Sequence, residues 1–110
     1  MQKQIYRQGD VLLVRVEAMP GGLTKVPRDN GRVVLAYGEV TGHAHAIETS
    51  NAELYETDLG ERFLQVLAEG GVTEADLVHE EHDTVTLPSG GYRQVAQVEY
   101  RPWGSQQVAD

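Results

Sequence analysis

Residues 31–48 read GRVVLAYGEVTGHAHAIE. Arg32 to Tyr37 is a short apolar run, rich in valine, with glycine on both sides. A run this short, bounded by turn residues, predicts a strand. The histidine-bearing end alternates. On an extended chain His43, His45 and Ile47 share one face, and Ala44, Ala46 and Glu48 share the other. Two strands in succession, with a glycine-bearing connection, point to an all-β chain.

The same grammar extends outward in both directions. Towards the N-terminus, Ile5 to Glu17 predicts one strand bent at Gly9. Pro20-Gly21-Gly22 then makes a turn, and Leu23 to Gly31 a loop or short strand. Towards the C-terminus, Ala52 to Glu56 predicts a strand. Asp58-Leu59-Gly60 turns the chain, and ERFLQVLA (61–68) returns as its hairpin partner. Thr73 to Val78 predicts a short helical turn with Thr73 as N-cap. TVTLP (84–88) alternates as a strand, and SGG follows as a turn. GYRQVAQVEYRP (91–102) predicts one long strand with Tyr92, Gln94, Ala96, Val98 and Tyr100 inward. Pro102 ends its pairing, and Trp103 orders the tail. Strand signals thus recur roughly every eight to twelve residues, and no long helical period supplies a crossover. The expected fold is a small antiparallel β-barrel or sandwich with one short helical turn, in a single domain over 1–110.

Composition narrows the function classes. There is no cysteine, which removes disulfides, thiolate metal sites and thiol nucleophiles. No apolar run approaches the ~18 residues of a membrane span. The N-terminus MQKQIYRQGD lacks the apolar stretch of a signal peptide. A cytoplasmic location without membrane contact is the expectation. The net charge is −8 with scattered basic residues, so a nucleic-acid partner is not expected. No serine sits in a nucleophile elbow, and no glycine-rich segment forms a phosphate loop.

The chemistry concentrates in the histidines. The chain has four, and all lie in two tight pairs: His43 with His45, and His79 with His82 in the stretch VHEEHD. His-x-His on a strand puts both imidazoles on one face, about 7 Å apart along the backbone. His79 and His82 have i, i+3 spacing, so a helical turn or tight loop also points them the same way. Neutral imidazole is a common ligand for zinc, copper, nickel and iron. Glu48, Glu80, Glu81 and Asp83 add nearby carboxylates. Glu80, Glu81 and Asp83 equally fit a solvated face. The pairs could instead sit on adjacent strands and bond to backbone or carboxylates.

Two partial resemblances bear on this. GEVTGHAHAIE resembles the first half-motif of cupins, in which glycine precedes His-x-His and a glutamate follows. It implies a metal-binding barrel. DVLLVRVEAMPGG followed by GRVVLAYGEV resembles the opening of the ten-kilodalton co-chaperonins and implies a small barrel in a ring. A third resemblance spans nearly the whole chain. RQGDVLL, GEVTGHAH, HEEH, LPSGGY and VEYRP together look like a family of small, uncharacterised bacterial and phage proteins. It brings no activity with it.

The leading expectation is a β-barrel protein binding a divalent transition metal through His43, His45, His79 and His82. Zinc, iron, nickel and copper all suit the ligand set. An open coordination position would acidify bound water for hydrolysis or isomerisation of a small polar substrate, with Glu81 or Glu48 as general base. The alternative is a non-catalytic interaction module that forms a homo-oligomer. In it Tyr92, Tyr100 and Trp103 anchor a partner and the histidines are structural.

Overall fold

Burial alternates along residues 52–56 and 74–78 and is continuous along 33–35 and 44–47, and the buried faces build two facing sheets. A computed structural model of the protein describes residues 4–38, 43–95, 98–101 and 104–107. In chain order the strands are β1 (Ile5–Gln8), β2 (Val11–Val16), β3 (Thr24–Lys25), β4 (Val33–Tyr37), β5 (Ala44–Ile47) and β6 (Ala52–Glu56). They continue as β7 (Arg62–Val66), β8 (Glu74–Val78), β9 (Val85–Pro88), β10 (Gly90–Val95), β11 (Val98–Arg101) and β12 (Gly104–Gln107).

One sheet has six strands in the order β1-β2-β10-β7-β6-β3, and the other has four in the order β4-β5-β8-β9. Every pairing is antiparallel. Leu13, Leu54, Leu64 and Tyr92 from the larger sheet join Leu35, Ile47, Leu77 and Leu87 from the smaller in one buried cluster. The result is a sandwich, one of the two expected architectures. Each fully buried leucine contributes roughly 1.5–3 kcal/mol relative to exposure. β11 and β12 pair with each other as a separate two-stranded ribbon.

The strand expectations at 32–37, 43–48, 52–56, 61–68 and 84–88 hold, and the Asp58-Leu59-Gly60 turn joins β6 to β7 as a hairpin. Three expectations need correction.

Ile5 to Glu17 is a hairpin rather than a bent strand. Gln8 pairs with Val11, which leaves Gly9-Asp10 as a two-residue loop. Gly9 has φ +54°, and glycine at the first loop position suits the reversed turn that matches strand twist.

Thr73 to Val78 is not a helical turn but largely β8. Ala75 and Leu77 are buried while Glu74 and Asp76 are exposed, a period of two. Asp76 Oδ1 accepts from Thr86 Oγ1 at 2.8 Å across the β8–β9 ladder and takes no part in a helix cap.

The long strand 91–102 is two strands in different sheets, β10 and β11. Ala96, Pro102 and Trp103 lie outside the described residues. The described residues contain no helix, and none that could cross a membrane.

Candidate metal centre

The four histidines lie where strands of the smaller sheet end. β5 carries His45, with His43 just before it, and His79 and His82 occupy the connection from β8 to β9. β5 pairs with β8 through Ala46↔Val78 and Ile47↔Leu77. That register brings the His-x-His end of β5 beside the residue just after β8. The separation in sequence is thus closed by ordinary antiparallel pairing.

The rings form a continuous cluster. Ring centroids are 4.3 Å apart for His45–His79, 4.7 Å for His79–His82, 5.7 Å for His45–His82 and 5.8 Å for His43–His79. One possible ligand atom each from His45, His79 and His82 lies within 4.8 Å of the others. The same holds for His43, His79 and Glu80. Zinc–nitrogen bonds of about 2.0–2.1 Å place ligand atoms roughly 3–4 Å apart, a contraction that side-chain rotation can supply. The sets share His79. His45 is buried, His79 half-buried and His82 exposed. The cluster therefore opens to solvent on one side, into a pocket of about 370 Å³. Its lining includes all four histidines with Gly9, Asp10, Tyr37 and Glu81.

A β-bulge shapes the rim. The β4–β5 register shifts between Val34 and Ala36, so Leu35 is the extra residue. Its carbonyl accepts from Arg62 Nη1 at 3.2 Å and Gln94 Nε2 at 2.9 Å, both from the facing sheet. Bulges bend a strand and re-aim the side chains beyond the extra residue; here Ala36 and Tyr37 line the pocket. Tyr37 donates its hydroxyl to Asp29 at 2.6 Å. Gly9 touches the cluster from the larger sheet. A Cβ there would sit 2.8 Å from His82 Nε2 and 3.1 Å from His45 Cε1. Only glycine permits both that approach and the positive φ.

The electrostatics favour neutral imidazole at the buried end. Burial pushes His45 below its ordinary range, and neighbouring His79 and His82 push the same way, against Asp10 and Glu80. Glu80 is held below the usual carboxylate range by backbone N–H groups of Glu80 and Ala44, the latter at 3.1 Å. His79 Nδ1 accepts from the Glu81 N–H at 3.0 Å. Neutral His79 therefore carries its proton on Nε2. A metal at Nε2 needs the proton moved to Nδ1 and the Glu81 amide contact given up, whereas a metal at Nδ1 takes that lone pair from the amide.

The sequence-predicted residues separate. His43, His45, His79, His82 and Glu81 come together around one pocket. Glu81 Oε1 lies 3.4 Å from His43 Nδ1. Glu48 is exposed, just past the far end of β5, and does not line the pocket. Tyr92 is fully buried and donates its hydroxyl to the Pro88 carbonyl, so it is not available as a surface anchor. Sequence reasoning missed Gln8, Asp10 and Tyr37. Gln8 is buried and bonded to His45 Nδ1 at 2.9 Å. Its sequence signal was faint: a polar residue ending an alternating strand just before a Gly-Asp turn.

With this geometry in place, the comparison with protein families adds a membership. The chain belongs to the family described as Domain of unknown function (DUF8820), whose model matches residues 7–97. The matched segment contains every residue of the histidine cluster and the Gly9-Asp10 turn. No curated protein and no solved structure matches the chain. Membership agrees with the resemblance to an uncharacterised family and carries no activity with it.

Proposed function

We propose that this protein binds one divalent transition metal through His45, His79 and His82, and that the ion serves metal-assisted hydrolysis or isomerisation of a small polar substrate. The observation that carries the reading is the convergence of these imidazoles within 4.8 Å at the mouth of an open pocket. Three protein ligands with a free position is the arrangement of catalytic zinc sites, in which bound water becomes acidic enough to act near neutral pH. Three imidazoles without thiolate suit zinc, nickel, copper or ferrous iron.

Glu81 serves as general base in this reading, since it lines the same pocket and lies beside His43. Glu48 has no such place. His43 stands next to the three-histidine set rather than within it, and its Nδ1 is buried without a hydrogen-bond partner among the described residues. Its place is the pocket wall beside Glu81.

The test is metal content by mass spectrometry on protein purified without a histidine tag, followed by uptake of zinc, nickel or iron. Near-stoichiometric metal, lost in His45→Ala, His79→Ala and His82→Ala but kept in His43→Ala, is expected. Loss in His43→Ala and His79→Ala, with metal kept in His45→Ala and His82→Ala, would move the ion to the set His43–His79–Glu80. No metal and no uptake would end the reading.

A further inference from the structure

We infer that Gln8 is the positioning residue of the metal centre: its amide fixes the tautomer of His45 and ties down both ends of the segment that carries His79 and His82. The inference rests on the metal reading above and says how that site is held in shape.

Donors and acceptors fix the assignment of the Gln8 amide. One terminal atom of the Gln8 amide lies 2.8 Å from the Leu77 carbonyl and 2.9 Å from the Asp83 carbonyl. Carbonyl oxygens only accept, so that atom must be Nε2, and both of its hydrogens are used. The other atom is then Oε1, which faces His45 Nδ1 at 2.9 Å. An amide oxygen only accepts, so His45 must carry its proton on Nδ1. The lone pair of neutral His45 is therefore on Nε2, the nitrogen left free to ligate. No other assignment with neutral His45 satisfies all three contacts.

The placement of the two carbonyls extends the role. Leu77 lies near the end of β8, two residues before His79, and Asp83 directly follows His82. Gln8 thus grips the histidine-bearing connection at both ends while holding His45. It does so from β1, a strand of the opposite sheet. Gln8 is 3% exposed and the Leu77 contact is buried, so water does not readily replace these bonds. Partners that orient a ligating imidazole through its second nitrogen commonly affect metal affinity by about 10–100-fold when removed.

The experiment has two readouts. The first is the His45 tautomer in the metal-free wild-type protein, read from nitrogen-15 NMR of the imidazoles. The second is zinc affinity, by competition with a chromophoric chelator, for wild type, Gln8→Leu and Gln8→Glu. A proton on His45 Nδ1 is expected, with zinc binding weakened about 10–100-fold in Gln8→Leu. Gln8→Glu still accepts from His45 but cannot donate to Leu77 and Asp83. It is expected to keep the tautomer and lose affinity. A proton on His45 Nε2 in the wild type overturns the inference, even if zinc binds. Wild-type affinity in folded Gln8→Leu overturns it too. Should Gln8→Leu not fold, the wild-type tautomer decides. The expected tautomer with no zinc uptake would instead sink the metal reading, and the role of Gln8 in a metal centre with it.

Discussion

Gly9 shows how much one residue carries. Its φ of +54° closes the β1–β2 turn, and its bare Cα lets the turn approach His82 and His45. Gly9→Ala is expected to destabilise the fold by roughly 1–3 kcal/mol through backbone strain. It should also weaken zinc binding, because the new methyl displaces His82. Denaturant melts and a zinc titration check both, and an unaltered zinc affinity would separate the turn from the site. His45 supplies a prediction in pH. Its folded pKa is depressed, chiefly by burial, so the folded chain releases a proton that the unfolded chain holds. The stability this contributes is present above the unfolded value of about 6.5 and lost as pH falls through the folded value. Metal-free protein should therefore lose stability as pH falls below about 6.5, and His45→Asn should flatten part of that slope. A slope unchanged in the variant would place the effect elsewhere. The histidine pairs themselves were legible from the chain. Their partner Gln8 was not, because a hydrogen bond across 37 residues leaves no local pattern.

At the scale of elements, β8 is instructive. The segment Thr73 to Val78 carried two signals, a weak cap and a period of two, and the period decided. Ala75 and Leu77 have an apolar layer to enter, whereas a lone helical turn on the sheet would leave ladder groups unpaired. The β6–β7 hairpin was legible because its Asp58-Leu59-Gly60 turn acts locally; the β1–β2 hairpin was not, because a single glycine within an apolar stretch fits a bend as well as a turn. Sheet membership was not: β9 and β10 are separated by a single residue, Ser89, yet belong to different sheets. Asn51 joins such elements. Its side-chain amide donates to the carbonyls of Leu67 and Glu74 at 3.1 Å each, after β7 and at the start of β8. Thr49 Oγ1 donates to Asn51 Oδ1 at 2.7 Å. Asn51→Ala leaves two carbonyls without this donor in a 4%-exposed position and is expected to cost about 1–3 kcal/mol. A change in denaturant midpoint without change in zinc stoichiometry is the outcome to look for; lost zinc stoichiometry would make Asn51 part of the site.

In the whole molecule, the proposed ligands lie on β5 and the β8–β9 connection of the smaller sheet, while Gln8 and Gly9 reach them from the larger one. Metal binding at this site would thus be linked to the closure of the sandwich. Zinc at about a hundred times its dissociation constant should stabilise the folded state by about 2.7 kcal/mol. That raises the unfolding midpoint on the order of 10 °C for a domain of this size. Thermal melts with and without zinc test this, using His45→Ala and His82→Ala as controls; an equal rise in the controls would assign the effect to non-specific binding. The amino-acid sequence by itself determined the all-β class, most strand positions, several tight turns and the pairing of histidines. Those features come from side-chain period and turn chemistry acting over a few residues. Only the tertiary structure decided that the chain is a sandwich and that both histidine pairs share one pocket. It also placed Glu48 outside that pocket, and set Gln8 behind His45. Each depends on which strands become neighbours, and that is settled by the burial of one common core rather than by any single segment.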